Sequence, residues 1–124
     1  MRRTTLIAVL LTLTLGCSQQ RKAQQARDEL TSWAANGHVL AQQWSRGKVM
    51  KPFAKSSVDV AMDSLKGLAK PLDSDDKAKE ALQKVTNSYD ALSRTIEKND
   101  RDAGEQTSKD FDAVKQKLDQ EKQQ

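Results

Sequence analysis

Several of the residues that small proteins use to brace a fold or to do chemistry are scarce in this chain. Its 124 residues include one cysteine, one histidine and two prolines, and aromatic residues make up 4%. A single cysteine leaves no intrachain partner for a disulfide. A lone histidine, His38, has no second histidine or neighbouring thiol for a metal site, and no HExxH spacing. There is no GxxxxGK[ST] phosphate loop, no GxGxxG and no GxSxG. No stretch alternates polar and apolar residues long enough for a strand. With so few aromatics, any core must be thin and built mostly from Ala, Leu and Val. The length allows one modest domain and too little chain for a deep pocket as well as a packed core. No enzyme class, cofactor or metal is indicated.

Charge is plentiful, at 31% of residues, and the formal net charge is +4. Arg2 and Arg3, ahead of an apolar run, supply two of those charges, so the basic balance is no nucleic-acid footprint. The distribution carries more information. Cys17 to Lys70 holds nine basic and four acidic residues, whereas Pro71 to Gln124 holds ten basic and thirteen acidic. The first half of the body is basic and the second acidic.

The one long apolar run lies at the front, in "MRRTTLIAVLLTLTLGC". Two arginines, an apolar stretch from Thr4 to Leu15 and the small residue Gly16 have the three parts of a secretory signal. As a helix the stretch would span about 18 Å, short of the roughly 30 Å hydrocarbon core of a bilayer. "TLGC", Thr14 to Cys17, resembles the lipobox of bacterial lipoprotein signal peptides. Gly16 fits the small residue before the cut, although Thr14 stands where the family usually has Leu. The resemblance covers only about the first seventeen residues. It implies cleavage between Gly16 and Cys17, diacylglycerol on the Cys17 thiol and acylation of the new amino terminus. Covalent lipid on Cys17 would then be the sole prosthetic group, and two or three acyl chains give durable anchoring. Ser18 rather than Asp after the cysteine points to the outer membrane, facing the periplasm, if the cell is Gram-negative.

Behind Cys17 the pattern is helical throughout. Ala23, Ala26, Leu30, Trp33, Gly37, Leu40 and Trp44 recur at spacings of three and four, a single apolar stripe that ends near Gly47. A second helix opens at Pro52, carries Phe53, Ser57, Ala61, Leu65 and Leu68 on a face widened by Val58 and Met62, and stops at Pro71. Asp73 or Ser74 is expected to cap a third, with Ala78, Ala81, Leu82, Val85, Tyr89, Leu92 and Ile96 on its face. Asn99 is expected to cap a fourth, with Ala103, Thr107, Phe111, Val114 and Leu118 inside. The fold class expected is all-α, a small antiparallel up-and-down bundle of about four helices. Residues 1–16 form the cleaved signal, 17–26 the lipidated tether, 27–120 the bundle and 121–124 a frayed end. Three helices with the first as a free stalk, and a coiled-coil oligomer, are the rival architectures.

Among candidate functional residues, Trp33 and Trp44 lie eleven positions apart and point the same way on a helix. Either both anchor the core, or they line a cleft for a partner or a small ligand. "RGKVMKPFAK" carries Arg46, Lys48, Lys51 and Lys55 with no acid among them. It is either a solvated turn with Val49 and Phe53 dipping into the core, or a basic-apolar patch for an anionic surface, a cell-wall polymer or an acidic partner. His38 reads as a surface residue. Asp75 and Asp76 suit helix capping better than acid–base work. The expected function is a non-catalytic, membrane-anchored envelope lipoprotein acting as an interaction or structural module. Its expected partners are a membrane, through lipid, and an envelope protein or cell-wall component, but not nucleic acid. The alternative is a small-ligand module in which Trp33 and Trp44 line an inter-helix cleft.

Overall fold

The computed structural model describes the backbone of residues 2–122 and the side chains of residues 20–122. Four helices follow one another: α1 (Arg2–Ser45), α2 (Lys51–Lys66), α3 (Asp76–Glu97) and α4 (Asp102–Lys122). No strand occurs among the described residues, and the chain forms the all-α bundle expected from its spacing. Side-chain links show which way the helices run. Arg101, just before α4, reaches the Trp44 carbonyl near the end of α1, while Lys122 at the far end of α4 pairs with Asp28. Lys55 in the second turn of α2 pairs with Glu97 at the end of α3. Arg27 pairs with Asp75 at the start of α3, so α1 and α3 run the same way. The topology is therefore up, down, up, down.

Local chemistry sets most of the helix ends. Gly47 adopts a left-handed φ of 70°, and the Lys48 N–H reaches back to the Gln43 carbonyl at 2.8 Å. Asn99 does the same after α3, at φ 54°, with the Asp100 N–H on the Thr95 carbonyl at 2.9 Å. Both are six-to-one closures that satisfy orphan carbonyls of a helix end. Asn99 thus ends α3 rather than starting α4, for which the Asp100 carboxylate receives the Ala103 N–H at 3.2 Å. Asp75, not Asp73 or Ser74, caps α3 by accepting the Ala78 N–H at 3.1 Å. Helix α2 stops at Lys66, before Pro71. The turns that follow fold Leu68 and Leu72 under the bundle, where both are buried.

The buried faces are rotated slightly from the expected stripes. On α1 they run Ala26, Leu30, Ala34, Gly37, Leu40, Ala41 and Trp44, so Leu40 keeps its expected place and Ala34 replaces Trp33 as the inward residue. On α2 they run Ala54, Val58, Ala61 and Leu65, which leaves Phe53 60% exposed. The physical reason is the same in both helices. Small residues let neighbouring backbones approach, and the large side chain beside each one moves to the edge. Helix α3 keeps its expected face except for Leu82, which is only partly buried. On α4, Gly104 is buried and Ala103 only partly so. Lost apolar exposure stabilises the fold by about 1.5–3 kcal/mol for each fully buried Leu or Phe.

One close approach governs the α1–α4 spacing. A Cβ placed on Gly37 would lie 2.4 Å from the Phe111 ring. Gly37 costs helix propensity, about 1 kcal/mol against Ala. It is retained here because the ring lies flat against its backbone. Gly37→Ala should destabilise the protein by about 1–3 kcal/mol through overpacking, read as a lower urea midpoint with an unchanged m-value. A gain in stability would mean that the ring can retreat freely.

Tyr89 ties α3 to α1. Its ring meets Phe111 edge-on, centroids 4.6 Å apart, and its hydroxyl donates to the Trp33 carbonyl at 2.5 Å. Burial pushes the phenol above its ordinary value of 10.0. The fold therefore holds the neutral form. This contribution is complete below the unfolded pKa and is lost as pH rises above about 10. The stability advantage of the native chain over Tyr89→Phe should shrink between about pH 9 and about pH 11, measured by urea unfolding at each pH. A constant difference would contradict this.

Candidate functional site

An apolar groove with an aromatic wall lies between α1 and α2. It arises from the shape of the bundle. Helix α1 packs more extensively on α3 than on α2, and the Tyr89 hydroxyl on the Trp33 carbonyl fixes that short diagonal. With α1 and α3 together, α2 stands away from α1. The result is a hollow of about 440 Å³. Trp33, Val39 and Leu40 form its α1 wall, and Phe53, Ser57 and Val60 its α2 wall. Val39 is 48% exposed, Phe53 60% and Val60 57%, the large apolar side chains left in solvent among the described residues apart from Met50.

The two tryptophans part company. Trp33 is half-buried on the groove wall, and its indole N–H reaches Glu29 at 3.4 Å. Trp44 has no solvent exposure and takes no part in the groove. Its N–H donates to the Asp100 carbonyl at 3.0 Å, and the Arg101 guanidinium lies 4.2 Å from its ring centroid. Arg101 also donates to the carbonyls of Trp44 and Val49, at 2.9 and 3.3 Å. Gly104 makes room, since a Cβ there would sit 2.9 Å from the indole. The cleft lined by both indoles is therefore corrected to a groove with one. The two indoles leave α1 in nearly the same direction, eleven residues being about three turns, but α4 packs over Trp44 at Gly104 while Trp33 faces the groove. Arg101 had no sequence signal as a core residue, because its partner lies across the bundle.

The basic stretch is likewise divided. Lys55 pairs with Glu97 at 2.6 Å, and Lys51 donates to the Glu97 carbonyl at 3.1 Å. Lys55 is raised above the usual lysine value by its hydrogen bond to Glu97, and Glu97 is lowered by the same bond. These two lysines close the carbonyl end of α3, where cations are favoured. Arg46 and Lys48 are exposed and have no ion pair among the described residues. Val49 packs against the core, but Phe53, expected to dip inward, faces the groove.

His38 is not simply a surface residue. Its Nδ1 lies 2.9 Å from both the carbonyl and the hydroxyl of Ser108, joining α1 to α4. A second hollow, of about 450 Å³, lies between α3 and α4 and includes Lys84, Asn87, Asp110 and Lys117 on its walls. It holds no aromatic side chain. No group of three or more His, Cys, Asp or Glu placed to hold a metal occurs among the described residues. No helix there is long and apolar enough to cross a membrane. Gly16 and Cys17 lie outside the residues whose side chains are described.

Comparison with known proteins adds no relative: no family model matches the chain, nor does any curated protein or solved structure.

The divergent placement of the indoles has a measurable consequence. Trp44→Ala should cost about 3–5 kcal/mol, whereas Trp33→Ala should cost about 1 kcal/mol. Denaturant unfolding of each variant checks this, and equal losses would place both side chains in the core.

Proposed function

We propose that this chain is a bacterial envelope lipoprotein, anchored through lipid on Cys17, whose helical bundle serves as a non-catalytic interaction module. The observation that carries the reading is the order of features at the front. Two arginines, a short apolar run and Gly16–Cys17 stand directly before the first amphipathic stripe of the body in the sequence. A chain with a single cysteine has no disulfide to make, but a lipid anchor needs only one thiol. Residues 1–16 are removed in this reading, and the tether begins at Cys17. The side facing the periplasm, on the outer membrane of a Gram-negative cell, follows from Ser18.

A small-ligand module is the second reading. It has support in the volume and apolar walls of the α1–α2 groove, with Trp33 as the aromatic contact and Trp44 removed from that role.

Cys17→Ala should abolish incorporation of labelled fatty acid and move the protein from the membrane to the soluble fraction on fractionation. Full membrane retention without lipid label would overturn the anchor.

A further inference from the structure

The α1–α2 groove has more order than an apolar hollow left by imperfect packing. Its walls are apolar in the middle, at Val39, Phe53 and Val60, and its nearby polar residues are uncharged, at Asn36, Gln43 and Ser56. Its two ends carry opposite charge. Glu29 lies one turn before Trp33 on α1, and Asp63 lies one turn beyond Val60 on α2. Because the two helices run in opposite directions, both acids stand at the same end. Arg46, one turn beyond Gln43, and Lys48 in the connection stand at the other, exposed and without an ion pair among the described residues. From Trp33 to Gln43 the wall is about 15 Å long, enough for the i, i+4, i+7 anchors of a docked helix.

Two occupants fit poorly. From Gln20 to Trp33, α1 rises about 20 Å, so with α1 upright on the membrane that holds the lipid of Cys17 the groove stands about that far from the bilayer. Copies anchored in one membrane, which rests on the reading proposed above, project α1 in the same direction. Groove-to-groove pairing would then bring Arg46 against Arg46 and Glu29 against Glu29, a repulsive register.

We propose that the groove binds one amphipathic helix of another envelope protein, with apolar anchors between Trp33 and Phe53, an acidic end against Arg46 and Lys48, and a basic end against Glu29 and Asp63. Phe53 and Val60 supply the apolar contact, and the charged ends set the register of the docked helix.

The test uses the full-length chain in phosphatidylcholine nanodiscs. The probe is a tryptophan-free peptide of about fifteen residues, with leucines at i, i+4, i+7 and i+11, glutamates at one end and lysines at the other. Saturable binding with a blue shift in indole emission is expected, and the shift should vanish in Trp33→Phe, where Trp44 remains. Phe53→Ser and Val60→Ser alter exposed side chains and should weaken binding at least about tenfold with thermal unfolding unchanged. The double variant Arg46→Glu, Lys48→Glu should lose affinity for the bipolar peptide and prefer one with lysines at both ends. Absence of saturable binding overturns the proposal, as does affinity indifferent to Phe53, Val60 and the charge reversal. Concentration-dependent self-association abolished by Phe53→Ser would assign the groove to a second copy and overturn it too. Binding to phosphatidylglycerol vesicles through the same residues would assign it to a lipid surface, with the same consequence. Fatty-acid labelling at Cys17 is read separately, so failure of the anchor and failure of the groove are distinguishable.

Discussion

The bundle depends on how closely α1 can approach its neighbours, and the Phe111 ring against Gly37 sets that distance. A chain with few aromatics relies on three of them to fill its core. Trp44, Tyr89 and Phe111 are all fully buried or nearly so, and each meets α1 or belongs to it. Phe111 lies on the backbone of Gly37, Trp44 on that of Gly104, and Tyr89 donates to the Trp33 carbonyl. Glycine gives up helix propensity at two places so that a thin core can use its largest side chains.

The same economy shapes the surface. Drawing α1 onto α3 and α4 leaves α2 attached mainly through α3, and the α1–α2 face opens as a groove. Phe53, Val39 and Val60 remain in solvent because the small residues beside them, Ala54 and Ala61 among them, take the inward positions. The basic stretch between α1 and α2 then separates by geometry. Lys51 and Lys55 turn toward the carbonyl end of α3, and Arg46 and Lys48 stay exposed without an ion pair among the described residues. Arg101 braces the end where the α1–α2 and α3–α4 connections meet. It stacks on Trp44 and donates to the carbonyls of Trp44 and Val49.

Helix number, order and the general burial pattern were legible because amphipathic spacing is a local property. Val85, Tyr89, Leu92 and Ile96 share one face of a helix wherever that helix packs. Gly47 was legible as a stop because a left-handed residue is a local requirement. The caps were less so: Asp73, Ser74, Asp75 and Asp76 all have capping chemistry, and only the backbone path selects Asp75. Which of Trp33 and Ala34 faces inward differs by 100° of helix rotation, a choice settled by α4 and α3. The candidate site was legible as a set of residue types, in Trp33, Arg46 and Lys48. Its apolar half was not, because Phe53 read as core material, Val60 fell outside the expected stripe, and single exposed apolar residues carry no distinguishing pattern.

The sequence by itself determined an all-helical chain, the approximate span of each helix, and the lone cysteine after a short apolar run on which the lipoprotein reading rests. These follow from periodicity, capping chemistry and residue counts, all readable along one strand of text. Tertiary structure alone decided that Trp44 is core and Trp33 is wall, that Lys51 and Lys55 close a helix while Arg46 and Lys48 stand free of ion pairs among the described residues, and that an apolar groove opens between α1 and α2. Those outcomes depend on which helix covers which face. Coverage is set by a few close contacts between residues far apart in the chain, Gly37 with Phe111 and Trp33 with Tyr89 foremost.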